Sequence, residues 1–150
     1  MKEQQQRQQL LSTLARSTFS DIETLWNGNP VKHGYRHIRK PETGMVMAVA
    51  RAGGNGEPFN MGEVTVSRCT LRLDSGETGF GYVRGRNLKH AETIALIDAL
   101  GQKQDDDSRH IFDELLPGLQ QLLENKNQQK QSDAEKTRVD FFTMVRGESE

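Results

Sequence analysis

Apolar residues recur at helical spacing near the start of the chain. The first such group, followed by polar residues, predicts a helix that ends near Arg16 and contains Leu10, Leu11, Leu14 and Ala15. Ser20 and Glu23 then form a capping-box pattern. This pattern predicts a second, short helix that ends at Asn27-Gly28.

The middle of the chain changes to short β-compatible runs separated by glycine, which is typical of an antiparallel meander. Four strands are predicted, namely Tyr35–Arg39, Met45–Arg51, Glu63–Leu73 and Thr78–Arg84. A turn at residues 74–77 joins the last two as a hairpin. The apolar phase changes within the third strand, so a β-bulge is expected near Ser67-Arg68. Close approach of another element to the fourth strand is the expected reason for Gly79, Gly81 and Gly85.

Helical spacing returns after the strands. Asn87 is the predicted N-cap of a helix through Leu100, and the acids from Asp105 open another helix that Pro117 either interrupts or restarts. A polar stretch then leads to an apolar tail, Val139–Val145. The predicted fold is α+β, with N-terminal helices, a four-stranded antiparallel meander sheet, C-terminal helices and the tail.

Length and composition fit one polar globular domain over residues 1–150. Of the 150 residues, 33% are hydrophobic and 27% are charged, and the mean hydropathy is -0.76. Residues 1–9, rich in Gln, are expected to be loosely ordered. No apolar run reaches the ~20 residues of a membrane span, and the first ten residues lack the apolar segment of a secretory signal. We therefore expect no membrane partner and a cytoplasmic location.

The charge is uneven along the chain. The net charge is -1, which does not favour a nucleic-acid partner, yet residues 31–90 hold ten Lys and Arg against five Asp and Glu. Four arginines on the last two strands and just beyond them form either a basic patch or an ordinary solvated face, and they are Arg68, Arg72, Arg84 and Arg86.

No metal site is expected. Cys69 is the single cysteine, so neither an intrachain disulfide nor a multi-cysteine zinc site can form. His33 and His37 lie too far apart on a strand to share an ion. The sequence His90-Ala91-Glu92 lacks the cysteine pair that completes a zinc deaminase site. No catalytic Ser/His/Asp set or close carboxylate pair is evident either.

A glycine-rich loop is the main candidate for phosphate binding. Its backbone N–H groups, with nearby cationic groups, suit an anion, although the glycine spacing matches neither a P-loop nor a dinucleotide fingerprint. The candidates are Arg51, Gly53, Gly54, Gly56, Arg86 and His90. The alternatives are a flexible connection between strands for the loop and a partly buried structural histidine for His90.

The apolar tail needs a cover, because a cluster of this kind is rarely left exposed on a monomer. Its candidate interface residues are Phe141, Phe142, Met144 and Val145. Either the tail folds back as an edge strand of its own sheet or another chain covers it. We expect the segment 138–150 to lie at a subunit interface.

Several of these motifs together resemble the PhnG family, the G subunits of the bacterial carbon–phosphorus lyase core complex. The resemblance covers nearly the whole chain from Leu10 onward. It is carried by Glu42-Thr43-Gly44, the run Arg51 to Glu63 with its glycines, Gly85-Arg86 with His90-Ala91-Glu92, Asp98-Ala99-Leu100, and the ending Arg138 to Glu148.

The resemblance implies a non-catalytic or co-catalytic subunit of a complex that holds two copies of each core subunit. The implied partners are PhnI, PhnH, PhnJ and PhnL-type subunits. The implied reaction displaces adenine from MgATP by methylphosphonate and gives α-D-ribose 1-methylphosphonate 5-triphosphate. No catalytic residue, metal or bound cofactor is expected in this chain; MgATP is a substrate of the complex.

Overall fold

The computed structural model describes residues 1–26 and 32–139, and within them helices pack on one face of a single sheet in an α+β fold, the predicted class. In chain order the elements are α1 (Lys2–Arg16), α2 (Phe19–Leu25), β1 (Tyr35–Arg51), β2 (Pro58–Leu73), β3 (Thr78–Arg84), α3 (Leu88–Gly101), α4 (Asp106–His110) and α5 (Leu116–Lys136). The first helix covers residues 2–9, for which the sequence predicts loose order.

The sheet in the described residues has three antiparallel strands in the order β1-β2-β3, so the prediction of a four-stranded meander is wrong. The runs Tyr35–Arg39 and Met45–Arg51 belong to the single strand β1. The chain does not turn between these two runs. Relative to β2, β1 carries one extra residue on each side of Arg39, and these form bulges within a continuous strand. Bulges of this kind let an edge strand include Pro41 without ending.

The long strand β2 pairs with β1 over its whole length but with β3 over only part of it. Its pairing with β3 is uninterrupted from Val66 to Arg72, so β2 has no bulge of its own near Ser67-Arg68, contrary to the prediction; the irregularity opposite Arg68 and Thr70 comes from an extra residue on β1. The change of apolar phase coincides instead with the point where β2 leaves the three-stranded part of the sheet. β3 itself has the predicted bounds.

Side-chain caps define where the helices begin. The Oδ1 of Asn87 accepts the His90 N–H at 3.0 Å, and Asp105 caps α4 in the same way. The hydroxyl of Thr18, not the predicted Ser20, caps α2. The predicted end of that helix at Asn27-Gly28 lies outside the described residues.

The core lies between α3 and one face of the sheet, and α1, α2 and α5 close its outer side. Its largest fully buried apolar side chains are Leu10, Leu14, Ile22, Leu71, Ile94, Ile97, Leu100, Ile111, Leu115 and Leu119. Gly79 and Gly81 let α3 lie directly on β3, since a Cβ at either position would overlap a carbonyl of α3. The predicted close approach is thus confirmed for these two glycines, whereas Gly85 has positive φ in the following turn.

Two further features bear on function. The chain passes from α4 to α5 through one π-helical turn, Ile111–Leu115, so Pro117 follows an interruption at the start of α5. In the described part of the chain, no helix combines the length and the apolar character needed to cross a bilayer.

Candidate subunit interface

The first hairpin extends well beyond the three-stranded part of the sheet. β3 ends at Arg84, opposite Val66, while β1 and β2 continue as a two-stranded hairpin arm made of residues 45–51 and 58–65. At about 3.3 Å per residue the arm is roughly 20 Å long. A two-stranded hairpin is at best marginally stable alone in water, so an arm of this length calls for a partner surface.

The hairpin arm carries a group of exposed large apolar side chains. Their exposed fractions lie between 47% and 67%, and they are Met45, Met47, Val49, Phe59 and Met61. Burying such a side chain contributes ~1.5–3 kcal/mol. Methionine and aromatic residues are also enriched at protein interfaces. The hairpin arm therefore has the composition of a surface that another protein covers.

The outer edge of β1 adds to this interpretation. β1 is an edge strand, and its segment Gly44–Ala50 contains neither a charged residue nor a proline. Lys, Pro and bulges are the usual means by which proteins protect an edge from pairing with another chain. The bulges of β1 flank Arg39, and the one irregularity within the hairpin arm, at Ala48–Val49, comes from an extra residue on β2, so the β1 segment of the arm carries none of these features itself.

Glycine conformations shape both the tip and the bend of the arm. The tip turns through a short 3₁₀ segment, Ala52–Gly54, in which Gly53 and Gly54 have φ of 61° and 82°. Gly62, with φ of 144°, lies where β2 gains one extra residue, Met61. Only glycine adopts these conformations at low cost. The glycine-rich loop is thus explained by the backbone of the hairpin without a bound phosphate.

The residues predicted to bind phosphate do not come together. Arg51, Gly53, Gly54 and Gly56 lie at the exposed tip. Arg86 is exposed in the turn before α3, near the base of the arm, because the Asn87 N–H beside it binds the Ser67 hydroxyl at 2.9 Å. The length of the arm separates the two locations by roughly 20 Å.

His90 is a buried structural histidine. Its Nε2 lies 3.1 Å from the carbonyl oxygen of Leu14, and its ring lies 6.0 Å from that of Phe19. Burial lowers the pKa of His90, partly opposed by the Leu14 carbonyl. The neutral ring thus donates to that carbonyl and ties α3 to α1, which is the structural alternative given above.

A polar cluster joins β1 to α3. The Tyr35 hydroxyl donates to Glu92 Oε1 at 2.8 Å, and His37 Nε2 lies 3.1 Å from the same oxygen. Burial, reinforced by Glu92, raises the pKa of Tyr35 to about 12 and that of the nearby Cys69 thiol to about 11. The thiol is therefore protonated at neutral pH and unsuited to nucleophilic chemistry.

Metal binding finds no support in the described residues. No group of three His, Cys, Asp or Glu side chains there could hold an ion. His33 lies 3.4 Å from Asp107, whereas His37 contacts Glu92, so the two histidines serve separate contacts.

The apolar tail residues Phe141, Phe142, Met144 and Val145 lie outside the described residues. The described helix that precedes them is informative, however. From Glu124 to Lys136 α5 is exposed all round, although Lys126 binds Asp21 with an Nζ–Oδ2 distance of 2.6 Å. The polar i,i+4 pairs Gln121–Asn125 and Glu124–Gln128 support this exposed part of the helix.

The sequence interpretation missed the hairpin arm as an interface. Met45, Met47 and Val49 alternate along a strand, a pattern usually assigned to the core face. The signal that could have revealed the arm is the uncharged seven-residue run Gly44–Ala50, which is as long as the whole of β3.

Comparison with known proteins identifies the family of the chain. Residues 5–147 match the model of the family described as phosphonate metabolism protein PhnG. A curated relative from Rhizobium meliloti (strain 1021), the alpha-D-ribose 1-methylphosphonate 5-triphosphate synthase subunit PhnG, is 40% identical over 143 residues, which cover 95% of this chain and 90% of the relative. The chain therefore belongs to the PhnG family of phosphonate metabolism proteins.

Proposed function

We propose that this chain is a subunit of an α-D-ribose 1-methylphosphonate 5-triphosphate synthase and that it acts there as an accessory, structural subunit. The name of the Rhizobium meliloti relative supports the identity of the complex. The observation that carries the accessory role is the hairpin arm, whose exposed apolar side chains suit burial against another chain.

The proposal also states which subunits the chain assembles with. The chain assembles with PhnI, PhnH, PhnJ and PhnL-type subunits in the cytoplasm, two copies per core complex. The complex uses MgATP and methylphosphonate as substrates, releases adenine, and this chain binds no cofactor of its own. Two titratable side chains of α3 support a subunit without chemistry of its own. His90 is hydrogen-bonded to α1 and Glu92 to β1, so both make structural contacts.

Direct phosphate binding is the alternative role, and it has less support. The six candidate residues are divided between the arm tip, the base of the arm and the core, so at most the four tip residues could meet one ligand, namely Arg51, Gly53, Gly54 and Gly56.

The arm is tested by co-expression with the other synthase subunits. The double substitution Met47→Lys and Val49→Lys places two charges on the hairpin arm, and it should abolish co-purification because those charges would be desolvated at the interface. The matched control is Ile38→Lys with Leu88→Lys, two exposed apolar positions outside the arm. Circular dichroism of each variant checks that the fold is retained.

Two results would contradict the proposal. One is a folded arm variant that co-purifies as well as the wild-type chain. The other is a wild-type chain that, purified alone, stays monomeric and turns over a nucleotide or phosphonate without the other subunits.

A further inference from the structure

The face of the sheet opposite α3 is rich in arginine. The strand register places cross-strand neighbours in rows on this open face. From one end to the other the rows are Arg36, Arg72 and Thr78; Arg39, Thr70 and Phe80; Glu42, Arg68 and Tyr82; Gly44, Val66 and Arg84. Three members of the predicted basic patch are thus together, and Arg86 lies beyond the end of β3.

The single carboxylate of these rows is already occupied. Glu42 Oε1 accepts from Arg68 Nε at 2.7 Å and from Arg39 Nη1 at 3.2 Å. Arg36, Arg72 and Arg84 have no carboxylate partner within the described residues. The open face therefore keeps an excess of positive charge although the whole chain carries -1.

One pair of arginines is unfavourable as the structure has it. Arg36 and Arg72 are directly opposite each other on neighbouring strands, and like charges in that position destabilise a sheet. Arg72 Nε donates to the Gly76 carbonyl at 3.1 Å, a contact that leaves the charge uncompensated. An anionic group placed between the two guanidinium groups would relieve the repulsion.

Two aromatic side chains lie among the arginines. Phe80 and Tyr82 fall in the rows of the open face by strand register and are each about half exposed, at 51% and 48%. The Arg7 guanidinium lies 5.8 Å from the centroid of the Phe80 ring and covers part of it. Arginine and aromatic residues together are the types most enriched among the energetically dominant residues of protein interfaces. The open face thus has both the charge and the anchors of a docking surface.

The spread of the charge indicates the size of the ligand. From the row of Thr78 to the row of Arg84 the strand covers six residues, or roughly 20 Å. A single phosphate or triphosphate cannot reach both ends. A nucleic-acid backbone that crossed the face would meet the carboxylate of Glu42 at its centre, and the net charge of the chain gives no long-range attraction for it. A protein surface with separated carboxylates fits better.

We propose that the open face of the sheet docks an acidic surface of a partner protein, whose carboxylates pair with Arg36, Arg72 and Arg84 around the anchors Phe80 and Tyr82. This interface is separate from the hairpin arm. It rests on the proposed function only in that the partner is sought among the synthase subunits.

The test reverses two charges. The full chain carrying Arg36→Glu and Arg72→Glu is compared with the wild type and with a control carrying Lys2→Glu and Lys89→Glu, which changes the net charge equally at exposed positions of helices. Affinity for the remaining co-purified subunits is measured at 50 and 300 mM NaCl, values chosen as roughly below and above physiological ionic strength. We expect binding about tenfold weaker or worse in the arginine variant at low salt, a shallower salt dependence, and no change in the control.

Several outcomes would overturn this proposal. If the arginine variant binds like the wild type while the arm variant fails to assemble, the open face is not an interface and the proposed function still holds. If the wild-type chain does not assemble with these subunits, the proposed function itself fails. Labelled oligodeoxythymidine and sodium triphosphate are titrated against the same variants. Binding of either probe that depends on Arg36 and Arg72 and is tighter than subunit binding would assign the face to that ligand instead.

Discussion

Arg7 and Asp98 form a two-point ion pair between α1 and α3. The Nε–Oδ1 and Nη2–Oδ2 distances are both 2.8 Å, and the Asp98 carboxylate is fully buried. The same carboxylate accepts the backbone N–H of Phe80 on β3 at 2.9 Å. One side chain therefore connects the first helix, the central helix and the edge strand.

Arg7→Ala should destabilise the fold, because Asp98 would stay buried without its cation. Breaking a buried pair costs ~3–5 kcal/mol, and we expect only a part of that, since Arg7 is itself 37% exposed. Urea denaturation measures the free energy of unfolding. Arg109→Ala removes an exposed pair with Asp106 and serves as the control, with an expected change within ~0.5 kcal/mol. Equal losses in the free energy of unfolding for the two variants would show that the buried ion pair stabilises the fold no more than the exposed one.

Gly81→Ala should be among the most damaging single substitutions. Its Cβ would overlap the carbonyl of Ala91, so α3 would have to move away from the sheet. Overpacking of this kind costs ~1–3 kcal/mol and sometimes more. The control is Gly101→Ala, where the new methyl group would meet only side chains at ordinary contact distances, Leu10 at 3.4 Å and Phe112 at 3.5 Å. Thermal unfolding compares the two, and a Gly81→Ala protein as stable as the control would contradict the close approach.

The stability of the chain should depend on pH through His90. Burial lowers its pKa in the folded state, so the unfolded state binds more protons as the pH falls below about 6.5. This contribution to the free energy of unfolding is present above that pH and is lost below it. Urea denaturation at pH 7.5 and 5.5 should therefore show a smaller loss of stability in His90→Gln than in the wild type. Identical losses in both proteins would count against a buried neutral ring.

Glu92→Gln should lower the pKa of Tyr35 from about 12 but leave it above the ordinary value of 10.0, because burial is the larger cause of the shift and remains. The phenol is titrated by its absorbance in a Tyr82→Phe background, which leaves Tyr35 as the one tyrosine. His37→Gln in the same background is the control for a neighbour that does not bond to the phenol oxygen. An unchanged Tyr35 titration in Glu92→Gln would remove Glu92 as a cause.

Arg51→Ala and Arg86→Ala distinguish the accessory role from phosphate binding. A charge-assisted contact is worth ~1.5–3 kcal/mol, so loss of a real phosphate ligand would change the KM for MgATP by about 10-fold or more. In the assembled synthase we expect both variants to stay within about twofold of the wild type. A large rise in KM for Arg51→Ala alone would assign phosphate binding to the arm tip.

Local signals predicted much of the fold. Asn87 and Asp105 begin helices as their capping chemistry requires, and the turn after Leu73 joins β2 and β3. The number of strands was wrong because Pro41 and Gly44 resemble a turn in sequence. Whether such residues turn or form a bulge depends on pairing with the neighbouring strand β2. The local sequence of β1 carries no information on that pairing.

The candidate site was harder to predict for a similar reason. An apolar strand residue has the same sequence signal whether a helix of its own chain or another protein covers it. Met45 and Met47 are exposed because β3 stops at Arg84 and α3 follows β3. Likewise, His90 follows an exposed arginine, Arg86, by four residues in sequence, yet its hydrogen bond to the Leu14 carbonyl decides its role.

The uncharged outer edge of β1 has a consequence for how the cell must make this protein. Copies synthesised in excess of their partners would present seven consecutive residues, Gly44–Ala50, ready to pair with one another and to form insoluble oligomers. Matched production of all the components, with each new chain captured soon after it leaves the ribosome, would therefore protect the cell as well as supply the complex.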